Sequence, residues 1–130
     1  MIELRDCNEG ILNDLQKITN LMVNAAKRSK ATIVDVSFHE FNPYGISGMV
    51  IIAESHLSIH TWPEYNYAAV DIFTCGNLID PKVAADYLIE GFGCKDPYIT
   101  YLKRGYVTNM VDCTVGATET TYMSDVELVS

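Results

Sequence analysis

The chain has 130 residues, of which 48% are hydrophobic and 20% charged, and a net charge of −8 at pH 7. This length and composition predict one globular domain with a hydrophobic core. The negative charge argues against a phosphate-binding surface and therefore against nucleic acid as a partner. No apolar run approaches the roughly 20 residues that span a bilayer, and no charged start leads into an apolar signal segment. We therefore expect a cytoplasmic protein that does not enter membranes.

The cysteine and histidine pattern does not predict a metal site. Four cysteines are spread along the chain without the close spacing of a metal-binding knuckle, so we expect thiols: Cys7, Cys75, Cys94 and Cys113. His56 and His60 are four residues apart, which on a helix would suggest zinc. They lie in a strand-like alternation with no third ligand nearby, so we predict no bound metal.

The first 40 residues predict one helix and two strands. Apolar residues recur at helical spacing and predict a helix over positions 9–28. These residues are Ile11, Leu15, Ile18, Met22 and Ala25. Positions 32–38 alternate, with Val34, Val36 and Phe38 on the side that we expect to be half-buried. A further short strand is predicted at positions 1–4.

The residues from 49 onward predict four more strands and a helix. Apolar or alternating runs at 49–54, 57–62 and 67–74 read as strands, separated by turn residues. Asp80 followed by Pro81 is a helix start, and Val83, Tyr87 and Phe92 are predicted to form the buried face of that helix. A last strand is predicted at 98–102.

This order of elements predicts an α+β fold, a two-layer sandwich. Strands joined by short turns form an antiparallel sheet, and both helices pack on one of its faces. The other face stays uncovered, and because an open apolar face commonly packs against a second copy, we expect a homodimer. Residues 1–106 form the domain, and residues 107–130, which show no periodicity, form a C-terminal tail.

One segment carries more chemistry than the rest. Residues 54–65 read ESHLSIHTWPEY, which places the hydroxyl of Ser55 next to the carbonyl of Glu54, with His60 and Glu64 following. From the pattern alone, Glu54 and Ser55 are an ordinary strand end. In the same way, Cys75 alone is most simply a core thiol.

Three motifs in one order resemble a known family. The runs FHEFNPYGISG at 38–48, ESHLSIHTWPEY at 54–65 and YAAVDIFTCG at 67–76 resemble the prokaryotic S-adenosylmethionine decarboxylases. The resemblance covers roughly residues 1–106. It implies a proenzyme that cleaves itself between residues 54 and 55 and builds its own cofactor.

The resemblance implies a role for four residues in this processing. Ser55 Oγ would attack the Glu54 carbonyl to give an ester, and elimination and hydrolysis would then leave a pyruvoyl group at residue 55. His60 matches the base for this step, since an imidazole accepts a proton near neutral pH. Ser47 matches a residue that assists the rearrangement by hydrogen bonding.

The resemblance also implies how the substrate reacts and binds. The pyruvoyl group made from Ser55 would form a Schiff base with the amine of S-adenosylmethionine and act as an electron sink. Cys75 matches the proton donor that follows loss of carbon dioxide. Phe41 matches a ring that stacks on adenine, and Glu64 a carboxylate that binds the ribose. The product would be decarboxylated S-adenosylmethionine, the aminopropyl donor for spermidine synthesis.

Two alternatives remain at this stage. A pyruvoyl enzyme of this kind could instead decarboxylate a basic amino acid such as ornithine or arginine, although Phe41 and Glu64 are useful only for a nucleoside. The chain could also be a non-catalytic regulatory paralogue. The presence of Ser55, His60 and Cys75 together argues against that second alternative.

Overall fold

A computed structural model describes residues 1–53, 55–75 and 77–104. These residues form six strands and two helices, together with two short 3-10 turns, at Ile11–Asn13 and Pro63–Tyr65. The strands are β1 (Ile2–Arg5), β2 (Ile33–Glu40), β3 (Ile46–Ile52), β4 (Ser55–Trp62), β5 (Tyr67–Phe73) and β6 (Asp96–Ile99). The helices are α1 (Leu15–Arg28) and α2 (Pro81–Gly91). The predicted tail at 107–130 lies outside the described residues.

The strands form one antiparallel sheet in the order β2-β3-β4-β5-β1-β6. Both helices pack on the same face, which confirms the predicted α+β sandwich. In the part of the chain that the structure describes, no element covers the opposite face, which we call the open face. None of the described helices is long and apolar enough to cross a membrane.

Helix α1 begins at Leu15 rather than at the predicted position 9. Gly10 has a φ of 82°, which breaks helical geometry, and the Asp14 side chain accepts a hydrogen bond from the backbone N–H of Lys17 at 3.0 Å. The start of α2 follows the prediction, with Asp80 as the cap and Pro81 as the first helical residue. Local capping chemistry, more than apolar periodicity, therefore sets where each helix starts.

The predicted buried face of α2 was wrong by about one position. The helix buries Ala84, Ala85 and Leu88, whereas Val83 is 40% exposed. The Arg28 guanidinium lies 4.5 Å from the ring centre of Tyr87, which is only partly buried. The predicted burial of Phe92 was correct.

Strand β2 is more exposed than its alternating pattern predicts. Val34 is 65% exposed and lies at an irregularity in the pairing between Ile33 and Asp35, so it is not part of the buried layer. Val36 is also exposed, and β2 is an edge strand of the sheet. Phe38 is half-buried and lies over Gly48, where a Cβ atom would come within 1.9 Å of the ring.

Candidate active site

Ser47 and His60 form a hydrogen-bonded pair on the open face. The β3–β4 register places them directly opposite each other, and Ser47 Oγ lies 2.7 Å from His60 Nδ1. The direction of this hydrogen bond follows the histidine tautomer. In either case the bond fixes Nδ1 and leaves Nε2 of the exposed ring available for proton transfer.

An aromatic row continues from His60 along the open face. The Trp62 ring lies 6.4 Å from His60 and stacks on Tyr67 at 5.3 Å. The Tyr67 hydroxyl donates a hydrogen bond to Glu3 Oε2. Burial, followed by this hydrogen bond and the charge of Glu3, raises the pKa of Tyr67 to about 12. Sequence reasoning missed Glu3 and Tyr67, because their strands are far apart in the chain.

Phe41 and Glu64 lie at this same end of the sheet. Phe41 follows β2, its N–H donates to the Gly45 carbonyl at 2.8 Å, and its ring packs edge-on to His39 at 4.6 Å. Glu64 lies in the 3-10 turn that directly follows β4. Both side chains are exposed. We call Phe41, Ser47, His60 and Glu64 the His60 group.

Ser55 and Cys75 lie at the opposite end of the sheet. Ser55 is the first residue of β4 and pairs with Ile52, so its side chain is on the helix side. Its Oγ is buried and has no hydrogen-bond partner among the described residues. Since His56 pairs with Phe73, one further step of the register places Ser55 beside Thr74, next to the half-buried Cys75. Ser55 and Cys75 are the Ser55 group; Glu54 lies outside the described residues.

The two groups are too far apart to act together within one chain. Ser55 and His60 are five residues apart on one strand, which corresponds to about 17 Å at about 3.3 Å per residue. An odd spacing on a strand also places the two side chains on opposite faces. His60 therefore cannot accept a proton from Ser55 of its own chain.

A cavity of about 210 Å³ opens beside the Ser55 group. His56 and Thr74, the neighbours of Ser55 and Cys75, contribute to its wall, as do Phe73 and the segment 100–104. The His56 and Phe73 rings are 5.7 Å apart, and the Arg104 guanidinium lies 4.9 Å from the Phe73 ring centre. Sequence reasoning took His56 as structural and did not select Arg104.

The chain matches one family over most of its length. The sequence model of "S-adenosylmethionine decarboxylase" covers residues 1–105. A relative from Thermodesulfovibrio yellowstonii named "S-adenosylmethionine decarboxylase proenzyme" is 60% identical over 109 residues, which are 84% of this chain and 81% of the relative. A protein of the same name from Acidithiobacillus ferrooxidans is 53% identical over 104 residues, covering 80% of this chain and 78% of that one.

A solved structure agrees with this match. The crystal structure of the adenosylmethionine decarboxylase from Aquifex aeolicus superimposes with a TM-score of 0.75 at 32% sequence identity, over 85% of this chain and 92% of that one. The motifs, the fold and the relatives all point to one family. The chain belongs to the S-adenosylmethionine decarboxylase family.

Proposed function

We propose that this protein is a self-processing decarboxylase that removes the carboxylate of S-adenosylmethionine and uses a pyruvoyl group made from Ser55. The observation that carries the proposal is the buried Oγ of Ser55, which has no hydrogen-bond partner in the described residues. Continuing the β4–β5 register by one step brings Thr74, the neighbour of Cys75, opposite Ser55, and this supports a nucleophile and a proton donor in one site. We propose the cytoplasm as its location.

Processing begins with attack of Ser55 Oγ on the Glu54 carbonyl carbon. The proton from Oγ goes to a base, and the amide becomes an ester once the Ser55 nitrogen leaves the carbon and takes a proton. Loss of the Ser55 α-proton then expels the Glu54 carboxylate, and hydrolysis of the remaining dehydroalanine releases ammonia. The products are chains 1–54 and 55–130, the second beginning with the pyruvoyl group.

The base in this scheme comes from a second protomer. His60 of the same chain is about 17 Å from Ser55 by strand spacing, on the other face. Two protomers that pack their open faces together about a two-fold axis would bring the His60 group of one to the Ser55 group of the other. Because Ser55 is the first residue of β4, it lies at the rim of the sheet.

The size of the cavity supports a shared site. At about 210 Å³ it is smaller than the roughly 300–1,000 Å³ typical of pockets for small molecules. A partner chain that adds the His60 group would enlarge it and supply the missing walls. The exposure of Met49 and Ile51, at 38% and 39%, marks apolar surface on the open face that such packing would cover.

The pyruvoyl carbonyl supplies an electron sink for the bond between Cα and the departing carboxylate. The chain's own residues do the rest. Cys75 donates a proton to the substrate carbon, a general-acid role that a thiol can fill. Phe41 stacks on the adenine, and Glu64 accepts hydrogen bonds from the ribose hydroxyls. The net charge of −8 favours a sulfonium substrate.

The fold keeps the two products of cleavage together. Residues 1–54 supply β1, β2 and β3, and residues 55–130 supply β4, β5 and β6. In the sheet β1 lies between β5 and β6, while β3 pairs with β4. Each product therefore pairs with the other along three strand boundaries, so cleavage of one peptide bond leaves the sheet intact.

Intact mass measurement of the purified protein tests processing. We expect two chains, with the second lacking a free N-terminal amine. Ser55→Ala should stay as one chain, and His60→Ala should stall before cleavage. The control is Ser29→Ala, a buried serine at the end of α1 that the proposal does not use; it should cleave as the natural chain does. A Ser55→Ala protein that still cleaves at this bond would refute the mechanism.

Release of carbon dioxide tests the substrate. The processed protein should release it from S-adenosylmethionine and not from ornithine or arginine. Release from a basic amino acid alone would favour the first alternative above, with the same cofactor. A processed protein that releases none from any of the three would favour the regulatory one.

A further inference from the structure

Two cysteines meet where β1 and β6 end. The register of these strands pairs Leu4 with Pro97 and Arg5 with Asp96. Asp6 has a φ of 53°, so regular pairing ends after Arg5, but the Lys95 N–H still donates to the Asp6 carbonyl at 3.2 Å. This hydrogen bond keeps Cys7, which follows Asp6, and Cys94, which precedes Lys95, near each other.

A second contact holds this alignment from the other side. The Asn8 N–H donates to the Phe92 carbonyl at 3.0 Å. Cys7 is therefore bracketed by backbone hydrogen bonds that tie its two neighbours to the segment around Cys94. Disulfides form across Cα separations of about 4.4–6.8 Å, which residues joined through neighbouring backbone hydrogen bonds can reach.

The two thiols differ in their surroundings. Cys7 is 4% exposed, and its Sγ donates to the Leu4 carbonyl at 3.5 Å. Cys94 is half-buried, and its Sγ donates to the Arg5 carbonyl at 3.0 Å. Burial, and next the charge and hydrogen bonding of Cys94, raise the pKa of Cys7 to about 12. The sulfurs also lie against carbonyls of adjacent residues, Leu4 and Arg5. Cys94 is the member of the pair that a reagent from solution can reach.

We propose that Cys7 and Cys94 form a redox-active dithiol that a small disulfide from solution converts into a protein disulfide. The Cys94 thiolate attacks one sulfur of the reagent and releases its first half as a thiol, leaving a mixed disulfide on Cys94. Cys7 then loses its proton, attacks Cys94 Sγ and expels the second half as a thiol. The dithiol loses two hydrogens, and the reagent gains them. In a reducing cytoplasm this bond is transient, as is usual for redox-sensing pairs there.

The position of this pair has a consequence for the processed enzyme. Cys7 belongs to residues 1–54 and Cys94 to residues 55–130, so the bond would join covalently the two chains that cleavage separates. This consequence rests on the proposed function, whereas formation of the disulfide does not. Oxidation would thus reconnect the two chains at β1 and β6.

Glutathione disulfide is the probe for the test. Purified protein is incubated with it, remaining thiols are alkylated, and the sample is denatured without reductant. We expect one species with the combined mass of both chains, which separates into two chains on reduction. Tryptic digestion should give peptides 6–17 and 83–95 joined by a disulfide. Two separate chains, glutathione left on Cys94, or a link through Cys75 or Cys113 would each overturn the proposal.

Three variants complete the test. Cys7→Ser and Cys94→Ser should each abolish the link, and Cys113→Ser, the matched control, should keep it. Ser55→Ala separates this inference from the proposed function, because its single chain should still yield the joined peptides. If that link forms but the natural chain is never cleaved, the proposed function fails and the dithiol stands. If cleavage occurs and no joined peptides form in either protein, the dithiol is refuted.

Discussion

The distance between Ser55 and His60 predicts that two defective chains can restore each other. Ser55→Ala removes the nucleophile from one group, and His60→Ala removes the base from the other. Neither protein alone should cleave itself. In a mixed dimer, however, the His60→Ala chain still carries Ser55 and Cys75, and its partner supplies an intact His60 with Phe41 and Glu64.

The expected yield follows from the two-fold arrangement. Random pairing of equal amounts makes about half of the dimers mixed, and each mixed dimer has one intact site out of two. About half of the His60→Ala chains should therefore be cleaved, and activity should reach about a quarter of the natural value. All cleaved chains should carry the His60→Ala substitution.

Co-expression of the two variants with different affinity tags allows each chain to be followed by mass. Carbon dioxide release from S-adenosylmethionine measures the restored sites. The control pair is Ser55→Ala with Cys75→Ala, two changes within one group, for which no mixed dimer has an intact site and activity should stay absent. If the Ser55→Ala and His60→Ala mixture shows neither cleavage nor activity, the shared site is refuted.

Two further predictions concern stability. The buried Thr61 hydroxyl accepts from the Ile46 N–H at 2.9 Å and donates to the Leu12 carbonyl at 2.8 Å. Thr61→Val should lower the free energy of unfolding by about 2–4 kcal/mol, because it leaves two buried backbone groups without partners. Thr19→Val is the control, and in the same urea titration it should lower the free energy of unfolding much less. The Thr19 hydroxyl donates to the Leu15 carbonyl within α1. Equal losses of free energy for the two variants would contradict this prediction. Tyr67 has its pKa raised to about 12 in the folded state, above the unfolded value of 10.0, so it stabilises the fold below pH 10 and loses that contribution as the pH rises toward 12. Tyr67→Phe should remove that part of the alkaline loss and cost about 1–2 kcal/mol at neutral pH; an unchanged alkaline profile would show that Tyr67 does not carry it.

The fold could be predicted from the sequence where signals are local. The alternation around Leu57 and Ile59, the apolar stripe of α1 and the Asp80-Pro81 start each depend on neighbours in the chain, and each was found. Errors arose where packing between elements decides. The buried face of α2 is formed by Ala84, Ala85 and Leu88, and an irregularity in the β2–β3 pairing leaves Val34 exposed.

The candidate site could be predicted only as a set of residues. Motif resemblance selected Ser47 and His60, and the β3–β4 register brings them into contact. Resemblance did not reveal that Ser55 lies at the far end of the same strand. Likewise, Glu3 comes close to Tyr67 only because β1 inserts between β5 and β6, an arrangement that no local pattern encodes.

The separation of the two groups follows from strand geometry and not from side-chain conformation. No rotamer change of His60 can span about 17 Å along the strand, and none can cross the sheet. We propose that the link comes from another chain. A two-fold axis that lies between the packed open faces and crosses β4 near Ser58 would exchange the ends of that strand and bring each His60 group to the partner's Ser55 group. In this arrangement a chain that meets no partner keeps its Glu54–Ser55 bond, so processing would follow assembly.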